Sequence, residues 1–230
     1  MRRAADRSLP APGGFRVYND RMERRTTRIL RAGRAALAAA FLLLPPAAPA
    51  AAGPAWPAAT GATGPAAGRV TIARLKYGGG GDWYSDPSSL PNLLGEFERR
   101  TEIRTTRDEA IVEAEAVDLA AYPFLYVTGH GTVRLSPEGI EAVRGHLLRG
   151  GFLWADDNYG MDASFRALVA ELFPARPLVD VPLDHPIYHC FYDLDGPPKI
   201  HEHDGKPPRG LGVFDGTRLV LFYTYESDVG

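Results

Sequence analysis

The sequence predicts a three-layer α/β domain: a mostly parallel sheet with helices on both faces and a hairpin near the C-terminus. Three observations predict it. Residues 122–128 (YPFLYVT) and 152–155 (FLWA) are solid apolar runs, the pattern of strands buried on both faces. Each run passes through a polar loop into a segment with apolar residues at helical spacing, the β-loop-α order of a parallel sheet. Later, 212–214 and 219–225 flank Asp215-Gly216, a tight-turn signal.

In chain order, residues 69–75 alternate and are β-branched, a first strand. A glycine-rich loop follows at 77–84 (YGGGGDWY). Leu90, Leu93, Leu94 and Phe97 then mark one face of a helix that Ser88 or Ser89 can cap. Residues 101–106 read as a weak second strand, and 107–121 stay ambiguous. The run at 122–128 ends on Gly129-His130-Gly131. Ser136-Pro137-Glu138 opens a helix by cap, fixed φ and dipole complement, with Ile140, Val143 and Leu147 facing inward. Gly150-Gly151 stops it. The strand at 152–155 ends at Asp156-Asp157-Asn158. Met161, Phe165, Leu168, Val169 and Leu172 define a third helix. After Pro174 the chain turns rich in Pro, His and aromatic residues until about 210. No internal repeat is visible. The whole order is that of a flavodoxin-like fold.

The N-terminal part has a different composition. Residues 24–34 are basic, 35–44 are apolar, and an Ala-rich stretch runs to Ala52. That succession is the pattern of a secretory signal, with Ala48-Pro49-Ala50 and Ala50-Ala51-Ala52 as cleavage sites. The expected organisation is a signal segment at 1–52, a Gly/Pro/Ala linker at 53–68 and one α/β domain at 69–230. Met22 is an alternative start, and Arg24-Arg25 bears a weak likeness to a twin-Arg signal. The expected location is periplasmic or extracellular. The apolar run is short for a bilayer span, which takes about 20 residues, so no stable span is expected after cleavage.

The net charge of −2 hides an asymmetry. Ten Arg and three acids fall in 1–52, leaving 16 basic and 25 acidic side chains beyond it, a net of about −9. An acidic domain is poorly matched to nucleic acid or to an anionic membrane surface. The single cysteine, Cys190, excludes an internal disulfide and is expected to be buried.

Four segments together resemble the domain of unknown function family 4159: 77–84, 122–131 (YPFLYVTGHG), 150–157 (GGFLWADD) and 185–188 (HPIY). The likeness covers about 70–230. It implies a fold similar to class I glutamine amidotransferase-like domains and an exported setting, and no substrate. Family members usually continue beyond a Tyr-Glu-Ser-Asp-Val-Gly ending with a further helix and strand, so the ending at Gly230 raises the expectation of a fragment. Amidotransferases carry a nucleophilic Cys on a sharp strand-to-helix turn, activated by a His. The comparable turn here carries Asp156, and glutamine hydrolysis by that route is not expected.

In open α/β sheets ligands bind beyond the carboxyl ends of the strands. Three polar clusters are expected there: 78–84, 129–131 and 156–158. The loop glycines, Gly79 and Gly80, could cradle a phosphate or simply let Asp82 and Trp83 fold over the site; the loop lacks either standard phosphate-loop motif. Trp83 and Tyr84 could stack on a flat ligand such as a sugar. Asp156 or Asp157 could act as general base, metal ligand or hydroxyl acceptor, or could cap the following helix. His130 is presented to the cleft or is a polar loop residue. His185, before Pro186, could close the cleft. His201 and His203, two residues apart on one face, are the weaker metal candidates; His185 and His189 are disfavoured by Pro186. No cofactor is expected.

Three functions follow. The first is a non-catalytic domain binding a small molecule, glycan or envelope protein. The second is a hydrolase on carbohydrate or cell-wall material using Asp156 or Asp157 with His130. The third is a metal-binding protein.

Overall fold

The computed structural model describes residues 68–116, 119–201 and 203–230. The expected signal segment, the alternative start at Met22 and the expected linker, all but Gly68, lie outside the described residues.

The sheet has seven strands: β1 (Ala73–Lys76), β2 (Ala110–Glu113), β3 (Phe124–Val127), β4 (Phe152–Asp156), β5 (Val179–Asp180), β6 (Arg209–Asp215) and β7 (Arg218–Tyr225). Their order is β2-β1-β3-β4-β7-β6-β5. The first five in that order pair in parallel, and β6 runs antiparallel to both neighbours. Among the described residues three α-helices complete it: α1 (Ser89–Thr101), α2 (Pro137–Leu148) and α3 (Asp162–Leu172). The result is the expected three-layer α/β fold with a mixed, mostly parallel sheet and a hairpin of β6 and β7.

Two registered rows explain the layers. Ala73, Leu125, Leu153 and Leu221 are partners across β1, β3, β4 and β7. All are essentially inaccessible and lie in the core that also takes Ile140, Val143 and Leu147 of α2 and Phe165 and Leu168 of α3. One residue further along, Arg74, Tyr126, Trp154 and Phe222 form the row on the opposite face. Leu90 and Leu94 of α1 pack on Tyr126 and Trp154 at one end of that row. At the other end the covering element is irregular chain: Val181 and Tyr188 pack on Phe222. Gly210 makes room for this, since a Cβ there would stand 1.8 Å from the Tyr188 hydroxyl.

Several local expectations need correction. Residues 101–106 are no strand. α1 runs on to Thr101, Glu102 closes it in a left-handed conformation, and only Thr105 bridges to Val70. The second strand is instead β2, in the ambiguous stretch, with Ile111 exposed and Val112 buried, as suits an edge. Leu93 is exposed, so the inner face of α1 is narrower than its spacing suggested. Ser88 takes the N-cap position of α1 without a side-chain cap bond. Ser136 does cap α2, accepting from Gly139 N at 2.9 Å. Asp215 belongs to β6, so the turn lies one residue later than expected, with Gly216 at φ 62°. Cys190 is exposed, because the loop after the short turn at Pro186–Tyr188 lies on the surface.

Candidate functional site

The strand order reverses direction between β1 and β3, and the helices that follow them, α1 and α2, pack on opposite faces of the sheet. Such a switch point opens a crevice at the carboxyl edge. The loop after β1 lies along the connection after β3. Gly78 N donates to Arg134 O, Gly81 N to Thr132 O and Asp82 N to His130 O. These bonds use N–H groups that a phosphate cradle would need. Gly129 is central to the approach: its φ is 135°, and a Cβ on it would stand 2.3 Å from the Tyr77 hydroxyl and 2.8 Å from Asp82 O.

Asp82 holds His130 at two points. Its carboxylate accepts from the His130 backbone N–H, and Oδ2 lies 3.1 Å from Nδ1. Burial pushes the Asp82 carboxyl up, but the bonds and charge of His130 outweigh it and hold the group below the usual carboxylate range. Trp83 packs on the main core instead of projecting outward, while Tyr84 is exposed and meets it edge-on at 5.5 Å.

A residue not singled out from sequence anchors this loop. Arg74, a strand residue, is 1 % exposed. Its guanidinium donates to Glu109 Oε2 at 2.8 Å, to Ser85 O at 2.8 Å and to Asp86 O at 3.2 Å, and lies over the Tyr126 ring at 5.3 Å. The only sequence signal is a charged residue in an apolar strand, which in a sheet covered on both faces must be paired.

The loop after β4 joins the other two through Asn158. Its amide donates to Asp86 Oδ2 at 2.5 Å and Ser85 Oγ at 3.1 Å, and its oxygen accepts from Thr128 Oγ1 at 2.7 Å. Tyr159 bridges to His130 through the backbone. A pocket of about 440 Å³ opens here, lined by Asp86, His130, Asn158, Tyr159, His201, His203 and Asp228. A strap that includes Lys199–His201 and His203–Lys206 contributes His201 and His203 to the lining. Lys199 Nζ donates to the buried Glu226 carboxylate at 2.9 Å, Asp204 N to the same carboxylate at 3.3 Å, and Ile200 N to Ser227 O at 3.0 Å. The strap presents His203, whose side chain is only 3 % exposed. Neither ring nitrogen makes a hydrogen bond with any described residue, and Nε2 stands 3.7 Å from Asp228 Oδ2. Its ring lies 5.5 Å from that of Tyr159 and 5.8 Å from that of His201.

Of the residues expected at a site, His130, His201 and His203 line this pocket, and Asp82 braces it. Gly79, Gly80, Trp83, Tyr84 and His185 do not line it. His185 instead accepts from Ile187 N at 3.1 Å, capping its own turn, and its ring meets Phe214 edge-on. Asp156 and Asp157 are buried and are not among the residues lining the pocket. Asp156 accepts from Thr224 Oγ1 at 2.5 Å and Gly230 N at 2.7 Å. Burial raises it to about 6 against the opposing pull of those bonds. Asp157 accepts from Glu226 N at 3.3 Å and is also raised, first by burial. Neither caps α3, whose N-cap position is Met161. Asp86, Asn158, Tyr159 and Asp228 complete the pocket, and their roles depend on partners distant in sequence.

Among the described residues no group of three or more His, Cys, Asp or Glu side chains is placed to hold a metal ion. Of the two weaker metal candidates, His201 is exposed and His203 has its side chain buried beside Tyr159 and Asp228. No helix among these residues is long and apolar enough to cross a membrane.

Fold and site together define an amidotransferase-like α/β domain with a polar pocket at its switch point and no cysteine on the turn after β4. The chain belongs to the domain of unknown function family DUF4159, whose model matches residues 71–230. No curated protein matches it.

Proposed function

We propose that this domain binds a small polar ligand in the pocket between His130, Tyr159 and His203, using an amidotransferase-like scaffold for recognition. The observation that carries this is His203: a buried imidazole with unspent ring nitrogens, on the wall of a pocket to which five chain segments contribute. Buried polar groups are normally paired, so a ligand hydroxyl or amide has a ready partner. The pocket also lies within the ~300–1,000 Å³ range of small-molecule sites. Backbone and imidazole NMR during titration with a library of polar compounds tests the reading. Shifts gathered at His130, Asn158, Tyr159 and His203 are expected; shifts gathered elsewhere would refute it.

We place this activity in the cell envelope on the signal-like pattern at 24–52. Protein recovered from an expressing bacterium should begin at Ala51 or Gly53 and leave the cytoplasm. An intact N-terminus in the cytoplasmic fraction would contradict the assignment.

Hydrolysis is the second reading, favoured by the Asp82–His130 pair. A carboxylate that engages Nδ1 fixes the ring and leaves Nε2 to take a proton from water. This moves the partner of His130 from Asp156 or Asp157 to Asp82. Turnover on a panel of glycans and esters, lost in Asp82→Asn with ligand binding retained, would establish it; absence of turnover across the panel would set it aside.

A further inference from the structure

We infer that the ligand class is carbohydrate, specifically a neutral or amino sugar presenting adjacent hydroxyls to His203 and Asp228. This rests on the pocket proposed above. The described lining residues include two carboxylates, Asp86 and Asp228, and no Lys or Arg. A phosphate or carboxylate ligand would enter beside these two carboxylates with no Lys or Arg among the described lining residues to meet it. A polyol fits the groups that are present. A neutral imidazole offers one donor and one acceptor, the complement of a hydroxyl that both accepts and donates. Asp228, 3.7 Å from Nε2, supplies an acceptor for the neighbouring hydroxyl. Asn158 cannot supply the polar contacts alone, because its amide is engaged by Asp86, Ser85 and Thr128.

The apolar side of a sugar also has a place to lie. Tyr159, His203 and His201 form a run of rings with centroid spacings of 5.5 and 5.8 Å. Tyr159 is 52 % exposed, so its ring is available to the C–H face of a pyranose. Its hydroxyl reaches Asp204 Oδ1 at 3.3 Å, tying that ring to the strap.

Calorimetric titration of the full chain with glucose, N-acetylglucosamine, glucosamine and glucuronate tests the inference, with adenosine and glycine as non-sugar controls. One or more of the three non-acidic sugars should bind, glucuronate at least about tenfold more weakly. His203→Phe keeps the ring and removes its nitrogens; it should lower affinity about tenfold or more, and Asp228→Asn should lower it less. Circular dichroism and thermal melts confirm that each variant is folded. Tighter binding of glucuronate, or unchanged sugar affinity in both folded variants, would overturn the inference. Binding of adenosine or glycine alone, with pocket shifts in NMR, would overturn the sugar class while sparing the pocket. No shift at the pocket with any probe would remove both.

Discussion

At the scale of single residues, charge burial gives the sharpest expectations. Asp156 has a carboxyl raised from 3.8 to about 6. An acid raised on folding binds more protons folded than unfolded between those values. Stability therefore falls as pH rises from about 4 to 6, by at most about 3 kcal/mol for this group. Asp157, also raised, acts in the same direction. Urea unfolding from pH 4 to 7 should show this decline, and Asp156→Asn should flatten it. Arg74 gives the opposite kind of test. Arg74→Met strips donors from Glu109 and the carbonyls of Ser85 and Asp86, and should cost about 3–5 kcal/mol. The same variant should weaken ligand binding, because the loop it releases carries Asp82 and Asp86. Sequence made Arg74 visible only as an anomaly. Its hydrogen-bond partners lie up to 35 residues away, beyond any local pattern.

At the scale of elements, glycine positions decide how closely loops and strands approach. Gly129→Ala would force a Cβ into Tyr77 and Asp82 at a φ that side chains rarely adopt. We expect it to cost about 1–3 kcal/mol in thermal or urea unfolding. It should also displace Asp82 from His130, seen as loss of the Nδ1 coupling in imidazole NMR. The elements themselves were unevenly legible. β3, β4, α2 and α3 carry their own signals: continuous apolar runs, a Ser-Pro-Glu start and helical spacing. β2 does not. It is four residues at an edge with one inward side chain, Val112, and β5 has two residues, both exposed. Such strands exist because a neighbour offers a ladder, which composition alone does not announce. The helix start at 88–89 was right in place but wrong in mechanism, since the serine there makes no cap bond.

At the scale of the whole molecule, the sheet concentrates stability at its centre. Hydrogen exchange should be slowest in β3, β4 and β7, flanked on both sides and packed in the main core. It should be fastest at β2 and β5, the two edges. Equal protection across all strands would contradict this picture.

Read alone, the residues specified the class of fold, the central strands, two of the three helices almost to the residue, and the edge of the sheet on which polar loops would gather. Those features follow from local burial: a strand covered on both faces must be apolar throughout, and a helix covered on one face must repeat every three to four residues. The pocket itself follows from no local rule. Asp86, His130, Asn158, His203 and Asp228 become neighbours only because β1, β3, β4 and β7 run parallel and end at one edge. The same packing buries Asp156 and Asp157, which are not among the residues lining the pocket. Which of several polar side chains on a turn faces a ligand is set by neighbouring strands, and sequence spacing carries no information about them.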